Sequence, residues 1–123
     1  MTYEKRDFGK LGEDKACEYL SGLGYEILDR NYETYSGEID IVARENGTLV
    51  FAEVKTRKTK RYGRAAAAVT HGKLAHIVKA AQCYAKTHKE YSGCNMRVDV
   101  IEIYTGKDAE LNHIKNVSLE GVV

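Results

Sequence analysis

The dipeptide Asn46-Gly47 stands between two runs in which apolar and polar residues alternate, over residues 37–57. An Asn-Gly dipeptide in this setting is the strongest short-range signal for a two-residue β-hairpin turn, because both turn positions need a positive φ angle. The turn also fixes the register, since Glu45 then pairs with Thr48 and every further pair follows from that one. The chain is therefore predicted to contain an antiparallel hairpin with a defined set of facing residues.

This register places two acidic residues opposite each other. Asp40 faces Glu53, and Glu38 faces Lys55 on the same side of the hairpin. Opposed residues have Cβ atoms about 5 Å apart, so two carboxylates placed in this way repel each other unless a cation lies between them. A divalent cation fits, because Mg²⁺ is typically held by one or two carboxylates. The alternative is a solvated face on which both acids pair with Lys55 or an arginine. On the side of the hairpin that carries Asp40 and Glu53, the apolar residues are Val42, Leu49 and Phe51. The opposite side carries Ile39, Ile41, Val50, Ala52 and Val54.

Length and composition limit the class of protein. With 123 residues the chain can build one packed core, so a single domain over residues 1–123 is predicted. No segment approaches the roughly 20 apolar residues that a membrane-spanning helix requires. The first ten residues carry charges of both signs and no apolar stretch, which argues against a secretion signal. We therefore expect a cytoplasmic protein that does not enter the membrane.

Cysteine and histidine spacing gives no sign of a zinc site. The three cysteines form no CxxC pair, and their odd number favours free thiols. The closest two histidines are His71 and His76, which lie on different sides of a helix. The cysteines are Cys17, Cys83 and Cys94.

The charge is locally basic, although the whole chain is not. A net charge of +1 lacks the strongly basic balance of many nucleic-acid-binding proteins. Residues 55–64, however, carry six basic residues and no acid, with Tyr62 among them. A solvated loop explains many such runs, but one that directly follows paired carboxylates would hold phosphates that the acids repel. The predicted nucleic-acid contacts are Arg57, Lys58, Lys60, Arg61, Arg64 and, on the following helix, Lys73, for which a plain surface lysine is the alternative.

The order of elements predicts the fold class. Helical spacing indicates a helix over 9–23, with Glu13 beside its apolar stripe, and a long second helix over 65–87. Gly72 weakens the second helix, so it is predicted either to run unbroken or to start near His71, with 65–70 as a separate turn or short helix. Strands are predicted at 25–32, in the hairpin, at 95–104 and, as an edge strand, near 111–117. A helical connection between the third and fourth strands suits a parallel crossover, so we expect an α/β fold with a three-layer mixed β-sheet flanked by helices.

The acidic pattern carries a family resemblance. Glu13, Asp40 and the run Glu53-Val54-Lys55 resemble the PD-(D/E)xK superfamily of restriction-endonuclease-like nucleases. Nearly the whole chain is similar to the YraN-like family of small uncharacterised bacterial proteins, through residues 37–40, 53–57 and 97–100. The early glutamate and the Asp40 to Glu53 interval are also similar to archaeal Holliday junction resolvases. The sequence departs from the name-giving motif in having Ile39 where that motif has proline.

The resemblance implies a restriction-endonuclease-like fold and a metal-dependent endonuclease that hydrolyses DNA phosphodiester bonds, with branched or structured DNA as a candidate substrate. Asp40, Glu53 and the backbone carbonyl of Val54 would hold Mg²⁺ or Mn²⁺. Lys55 would orient or help to deprotonate the attacking water. Glu13 would reach the metal through water or hold a second ion, and its alternative is a helix-edge carboxylate bonded to a basic neighbour. Resolvase-like relatives act as two-fold dimers, which makes a homodimer a candidate assembly, although no stripe in the sequence identifies a self-complementary surface.

Several assignments remain open between two readings. Glu38 either tunes Lys55 or is structural, and Arg97 with Asp99 forms either an ordinary ion pair or a phosphate contact. At the level of function, the alternative is a non-catalytic nucleic-acid-binding or recruitment module that uses residues 55–64. A protein-interaction domain unrelated to nucleic acid fits the moderate net charge but leaves the carboxylate pair unexplained.

Overall fold

The computed structural model of the protein describes residues 5–58, 70–106 and 109–117. Its elements follow the predicted order of helix, three strands, helix and two strands. The first helix begins earlier than predicted and the last strand is shorter. The elements are α1 (Lys5–Gly22), β1 (Glu26–Thr34), β2 (Gly37–Glu45), β3 (Thr48–Arg57), α2 (His71–Thr87), a 3₁₀ turn (Lys89–Tyr91), β4 (Asn95–Tyr104) and β5 (Glu110–Ile114).

The five strands form one mixed sheet in the order β1-β2-β3-β4-β5. Neighbouring strands are antiparallel, except β3 and β4, which are parallel. The connection between these two contains α2, as a parallel crossover requires. The predicted three-layer α/β fold with a mixed sheet is therefore confirmed, and β5 is an edge strand as predicted.

The hairpin register is confirmed next to the turn, where the pairs run from Glu45–Thr48 to Ile41–Ala52. The turn itself differs in one respect. Asn46 has a φ of +53°, as expected, but Gly47 is not in the left-handed region. The prediction of a positive φ is thus wrong for Gly47, whose carbonyl accepts the N–H of the first residue of β4 at 2.9 Å.

Each face of the sheet carries its own hydrophobic core under one helix. The prediction for Ile39 is wrong, because it lies in the α2 core with Val42 and not on the opposite side. The β2–β3 ladder ends at Ile41, and the residues of β2 that precede Ile41 are not paired with β3. The regular alternation of side chains therefore does not extend to Ile39. The α2 core contains Ile39, Val42, Leu49, Phe51, Leu74, Ile77, Ala80, Ala81, Tyr84, Val98 and Val100. The α1 core contains Ala16, Leu20, Tyr25, Ile41, Ala43, Val50, Ala52, Ile101 and Ile103.

Helix α1 lies very close to β3 at one point. A Cβ atom on Gly12 would overlap the side chain of Thr56, so only glycine allows this approach. The contact places the next residue, Glu13, over the end of the hairpin. None of the helices in the described segments combines the length and apolar character needed to cross a bilayer.

Candidate active site

The predicted pairs beyond Ile41 have different outcomes. The carboxyls of Asp40 and Glu53 do lie close enough to raise the pKa of Asp40, although their backbones are not paired. Asp40 Oδ2 instead accepts the backbone N–H of Val54 at 2.8 Å. The predicted pairing of Glu38 with Lys55 is wrong, because the β2–β3 ladder ends at Ile41–Ala52, and the carboxyl of Glu38 instead interacts with Asp40. The ladder ends where the side chain of Asp40 takes the N–H of Val54, so the strands separate there.

Glu53 is the most deeply buried acid of this site, with 6% of its side chain exposed. Its Oε2 atom is buried and has no hydrogen-bond partner among the described residues. The ammonium of Lys73, on α2, lies 3.4 Å from that oxygen. The two groups are therefore close enough to form an ion pair, but their geometry does not meet the angles of a hydrogen bond. A buried carboxylate oxygen in this state has free capacity for a cationic ligand.

The electrostatics of Asp40 reflect the closeness of the two acids. Burial raises the pKa of Asp40 to about 7, and the hydrogen bond and charge of Glu53 act in the same direction. The N–H of Val54 and the charge of Lys73 oppose this shift without cancelling it. At pH 7 the Asp40 carboxyl is therefore protonated in about half of the molecules, and a bound cation would favour its ionised form.

The donor set fits a hard divalent cation. Two carboxylates and the carbonyl of Val54 are oxygen ligands of the kind that Mg²⁺ and Mn²⁺ prefer. Within residues 5–58, 70–106 and 109–117, no three His, Cys, Asp or Glu side chains are arranged to hold a metal. Remaining coordination positions at Asp40 and Glu53 would have to be filled by water or phosphate oxygens, as is usual for Mg²⁺.

Glu13 shows features of both predicted readings. Burial raises the pKa of Glu13, and the charge of Asp40 raises it further, so α1 does bring this acid near the pair. Glu13 also lies 3.8 Å from Arg30, whose closer partner is Asp14 at 2.7 Å. The acid borders a cleft of about 640 Å³, lined by Gly9, Lys10, Glu13, Arg30, Asn31, Glu33 and Glu38.

Lys55 is half-buried and lies beside Glu102 in the parallel β3–β4 ladder. Glu102 is fully buried, and it accepts hydrogen bonds from the hydroxyl of Tyr104 and from Asn112 Nδ2, the latter at 2.9 Å. Sequence reasoning gave this glutamate no role. Its signal was an acid within a strand of β-branched residues, at a position whose neighbours on the same face are apolar.

The predicted phosphate contacts lie at the same end of the hairpin, as far as the structure describes them. Lys73 is held at the start of α2 by Thr70, whose Oγ1 accepts the Lys73 N–H at 3.1 Å. Lys58 Nζ lies 5.7 Å from the ring centroid of Phe8 on α1. Arg57 ends β3, and its buried Nε has no hydrogen-bond partner within the described segments. Lys60, Arg61 and Arg64 lie outside the described residues.

Arg97 and Asp99 belong to a second polar cluster and form the ion pair that was one of their two readings. The guanidinium donates to both oxygens of Asp99, at 3.0 and 3.1 Å. His113 Nε2 lies 2.7 Å from the same carboxylate, and the N–H of Asn116 donates to it at 3.0 Å. Burial alone would raise the pKa of Asp99, but these three partners lower it below its usual range.

The second cluster also joins distant elements. Tyr19 of α1 is hydrogen-bonded to His113 Nδ1 at 3.0 Å. Arg97 donates to the hydroxyl of Tyr25 at 2.7 Å and to Glu45 at 3.1 Å. All these residues gather on the α1 side near the hairpin turn, whereas the Asp40 and Glu53 pair lies further along the hairpin. Arg97 and Asp99 both have hydrogen-bond partners within the cluster, so their presence is explained by these contacts without a bound ligand.

Comparison with known proteins gives consistent matches along most of the chain. The model of "Uncharacterised protein family UPF0102" matches residues 12–103. A UPF0102 protein of Caldicellulosiruptor saccharolyticus is 42% identical over 115 residues, which cover 91% of this chain and 97% of that protein. Another, from Persephonella marina, is 43% identical and covers 88% of this chain and 90% of its own.

One solved structure, described as "Structure of EndoMS-dsDNA2 complex", is 18% identical with a TM-score of 0.36. The match covers 71% of this chain and 34% of that one, so the chain spans about a third of its length. A TM-score of this size does not establish a common fold.

Proposed function

We propose that this chain, which belongs to the uncharacterised protein family UPF0102, is a metal-dependent endonuclease of the PD-(D/E)xK type that hydrolyses DNA phosphodiester bonds. One observation carries the proposal: the carboxyls of Asp40 and Glu53 meet where two strands separate, and one buried Glu53 oxygen accepts no hydrogen bond from the part of the chain that the structure describes. An acid whose pKa is strongly raised by burial and by a neighbouring acid, as that of Asp40 is, is a recognised mark of a functional site.

Each residue of the site has a physical task in this proposal. Asp40, Glu53 and the carbonyl of Val54 would hold Mg²⁺ or Mn²⁺. The chemistry supplied by either ion is neutralisation of charge at the scissile phosphate and a lowered pKa of bound water. Lys55 orients the attacking water, helps to remove its proton and stabilises the negative charge that develops on phosphorus-bound oxygens. Glu13 approaches from α1 and orders water on the side of the site away from α2.

Basic residues at the same end of the sheet would hold the DNA backbone. Lys73 and Lys58 are exposed, and Arg57 stands at the end of β3. Residues 59–64 continue this basic run in sequence. Phosphate contacts of this kind position the strand over the acids and make binding dependent on salt.

The test is cleavage of labelled duplex, single-stranded and four-way-junction DNA in Mg²⁺ or Mn²⁺. We expect cleavage of at least one substrate, and loss of most of it in Lys55→Ala. Lys15→Ala, which removes an exposed lysine from α1 on the other side of the sheet, is the matched control and should cleave as the wild type does. Absence of cleavage on every substrate, or equal cleavage by Lys55→Ala, contradicts the proposal.

A second candidate is a non-catalytic nucleic-acid-binding module on the same fold. The observation that favours it is the position of Lys73, whose ammonium already lies beside the Glu53 oxygen and partly neutralises it. Calorimetric titration with Mn²⁺ separates the two candidates. Uptake of Mn²⁺ that disappears in Asp40→Asn supports the enzyme, whereas salt-sensitive DNA binding without any uptake of metal supports the module.

A further inference from the structure

The turn between β1 and β2 carries an aromatic side chain that the fold does not use. Tyr35 is fully exposed. Monomeric proteins expose single apolar residues often, so exposure alone assigns Tyr35 no role. Tyr35 precedes β2, the strand that carries Asp40, and the groups around it show what it faces.

The backbone that carries Tyr35 is held in a defined shape. Thr34 Oγ1 accepts the N–H groups of Ser36 and Gly37 at 3.1 and 3.2 Å, and it donates to the Gly37 carbonyl at 3.0 Å. Gly37 has a φ of +154° and lies directly on α2, since a Cβ there would come within 3.3 Å of the Cβ of His76. The turn thus presents Tyr35 from a fixed base beside the helix.

The exposed side of α2 is basic along its length. The helix contains three lysines and two histidines but no Asp or Glu. Lys73, His76, Lys79 and Lys86 follow each other at spacings of three or seven residues, which places them along one side of the helix. The first of them contacts Glu53 in the candidate active site. A negatively charged polymer lying on this side would therefore be led to that site.

A groove joins the turn to this basic side. It measures about 390 Å³, and its walls include Tyr35 and Ser36 on one side and Lys79, Gln82 and Lys86 on the other. An aromatic ring beside two lysines matches the make-up of single-strand nucleic-acid sites, in which bases stack on aromatic rings and basic groups follow the phosphates.

We propose that Tyr35 and the lysine side of α2 form a binding surface for an unpaired stretch of nucleic acid, with a base stacked on Tyr35 and phosphates held by Lys79 and Lys86. The proposal rests on the proposed function in that it specifies the substrate: DNA with unpaired bases beside the cleavage point. Stacking on a side chain requires a base whose face is free, which a fully paired duplex does not offer.

The first test measures binding by fluorescence anisotropy in EDTA, so that no cleavage occurs. The probes are a duplex with a single-stranded overhang of about ten nucleotides and the same duplex fully paired. Tyr35→Ala should weaken binding of the overhang probe about ten-fold, equivalent to about 1.4 kcal/mol, and leave the paired probe unchanged. Tyr35→Phe keeps the ring and should bind as the wild type does.

The second test uses the salt dependence of binding to the overhang probe. The double variant Lys79→Ala, Lys86→Ala should make the negative slope of log K against log salt shallower by about 1.4, since each single-strand phosphate contact contributes about −0.7 to the slope. Lys15→Ala on α1 removes an equal charge from the other side of the sheet and should leave the slope unchanged. Thermal melting checks that each variant is folded.

Three outcomes would overturn the inference: overhang binding by Tyr35→Ala equal to wild type, an equal loss on both probes, or competition by polyglutamate that does not depend on Tyr35, which would assign the surface to an acidic protein. These results are separable from the proposed function. Loss of overhang binding in Tyr35→Ala without Mn²⁺ uptake or cleavage removes the endonuclease alone, whereas cleavage with unchanged binding removes this surface alone.

Discussion

Asp40 and Asp99 are two largely buried carboxyls in one sheet, and their pKa values are shifted from the ordinary value in opposite directions. Burial acts on both and favours the neutral form. Around Asp99, donors from Arg97, His113 and Asn116 outweigh burial and hold the pKa low. Around Asp40, one backbone N–H is opposed by a second carboxyl, and the pKa rises to about 7. The supply of donors therefore decides which acid serves the fold and which is left available to a ligand.

The difference extends to the elements that each acid connects. The Asp99 cluster joins α1, the residue before β1, β2, β4 and β5 through side chains that are satisfied by one another. Among the described residues, the Asp40 pair joins β2 to β3, with Lys73 of α2 alongside. Loss of an acid should therefore destabilise the protein in the first region and relieve repulsion in the second.

The largest effect is expected from Asp99→Ala. The change leaves the guanidinium of Arg97 without its main partner in a largely buried setting, and breaking such a pair typically costs about 3–5 kcal/mol. Urea unfolding at pH 7 measures the loss. Glu26→Ala removes half of an exposed pair with Arg44 and should change little. If Asp99→Ala unfolds at the wild-type urea concentration, the cluster does not stabilise the fold.

Metal binding should stabilise the other region by a somewhat smaller amount. At Mn²⁺ concentrations about a hundred-fold above the dissociation constant, the free energy of unfolding should rise by about 2.7 kcal/mol, because only the folded state holds the ion. Asp40→Asn should abolish the rise, whereas the exposed-pair variant Glu26→Ala should retain it. An equal rise in Asp40→Asn would place the metal elsewhere.

The pH dependence of stability should differ in sign between the two acids. The folded pKa of Asp40 lies above its usual value of 3.8, so its contribution is complete below about pH 4 and is lost as the pH rises through 7. In the metal-free protein, Asp40→Asn should therefore be more stable than wild type at pH 8 by about 1–3 kcal/mol, and similar to it at pH 4. Asp99, with its lowered pKa, should lose its contribution on acidification instead.

Urea unfolding of wild type and Asp40→Asn across that pH range is the measurement. A constant difference between the two proteins from pH 4 to 8 would show that the Asp40 carboxyl titrates at its ordinary pKa.

The smallest effect concerns the outer end of the Asp99 cluster. Tyr19→Phe removes one hydrogen bond to His113, which should cost about 1 kcal/mol. The matched change Tyr35→Phe removes a fully exposed hydroxyl and should cost nothing measurable. Chemical unfolding of both variants side by side would test this, and equal stabilities would mean that the Tyr19 bond is replaced by water without loss.

Local signals predicted much of the fold and the central pair of the site. The Asn-Gly turn set the register that brings Asp40 to Glu53, and alternation gave β4 its observed bounds. The ladder's early end was not predictable, because it depends on the side chain of Asp40 competing for the N–H of Val54. The alternation of apolar and polar residues carries no information about hydrogen bonds from side chains to the backbone. Ile39 was therefore assigned to the wrong side of the sheet.

The Arg97–Asp99 pair was one of two predicted readings, but its further partners were missed for a different reason. Arg97 meets Glu45, and Tyr19 meets His113, across 52 and 94 residues of sequence. Contacts of this separation follow from the strand order and from the packing of α1, and no spacing rule in the sequence encodes them. The approach of Lys73 to Glu53 likewise depends on where α2 begins, which the capping by Thr70 determines.

The absence of a side chain at Gly12 sets a distance in the candidate active site. Because Thr56 fills the place where a Cβ would stand, α1 can neither rise from β3 nor slide along it without losing this fit. The neighbouring glutamate therefore reaches the acid pair through the shape of the helix–strand interface, with no bond between Glu13 and Asp40 needed to hold it there. The lack of a Cβ atom at Gly12 therefore determines how close Glu13 comes to Asp40.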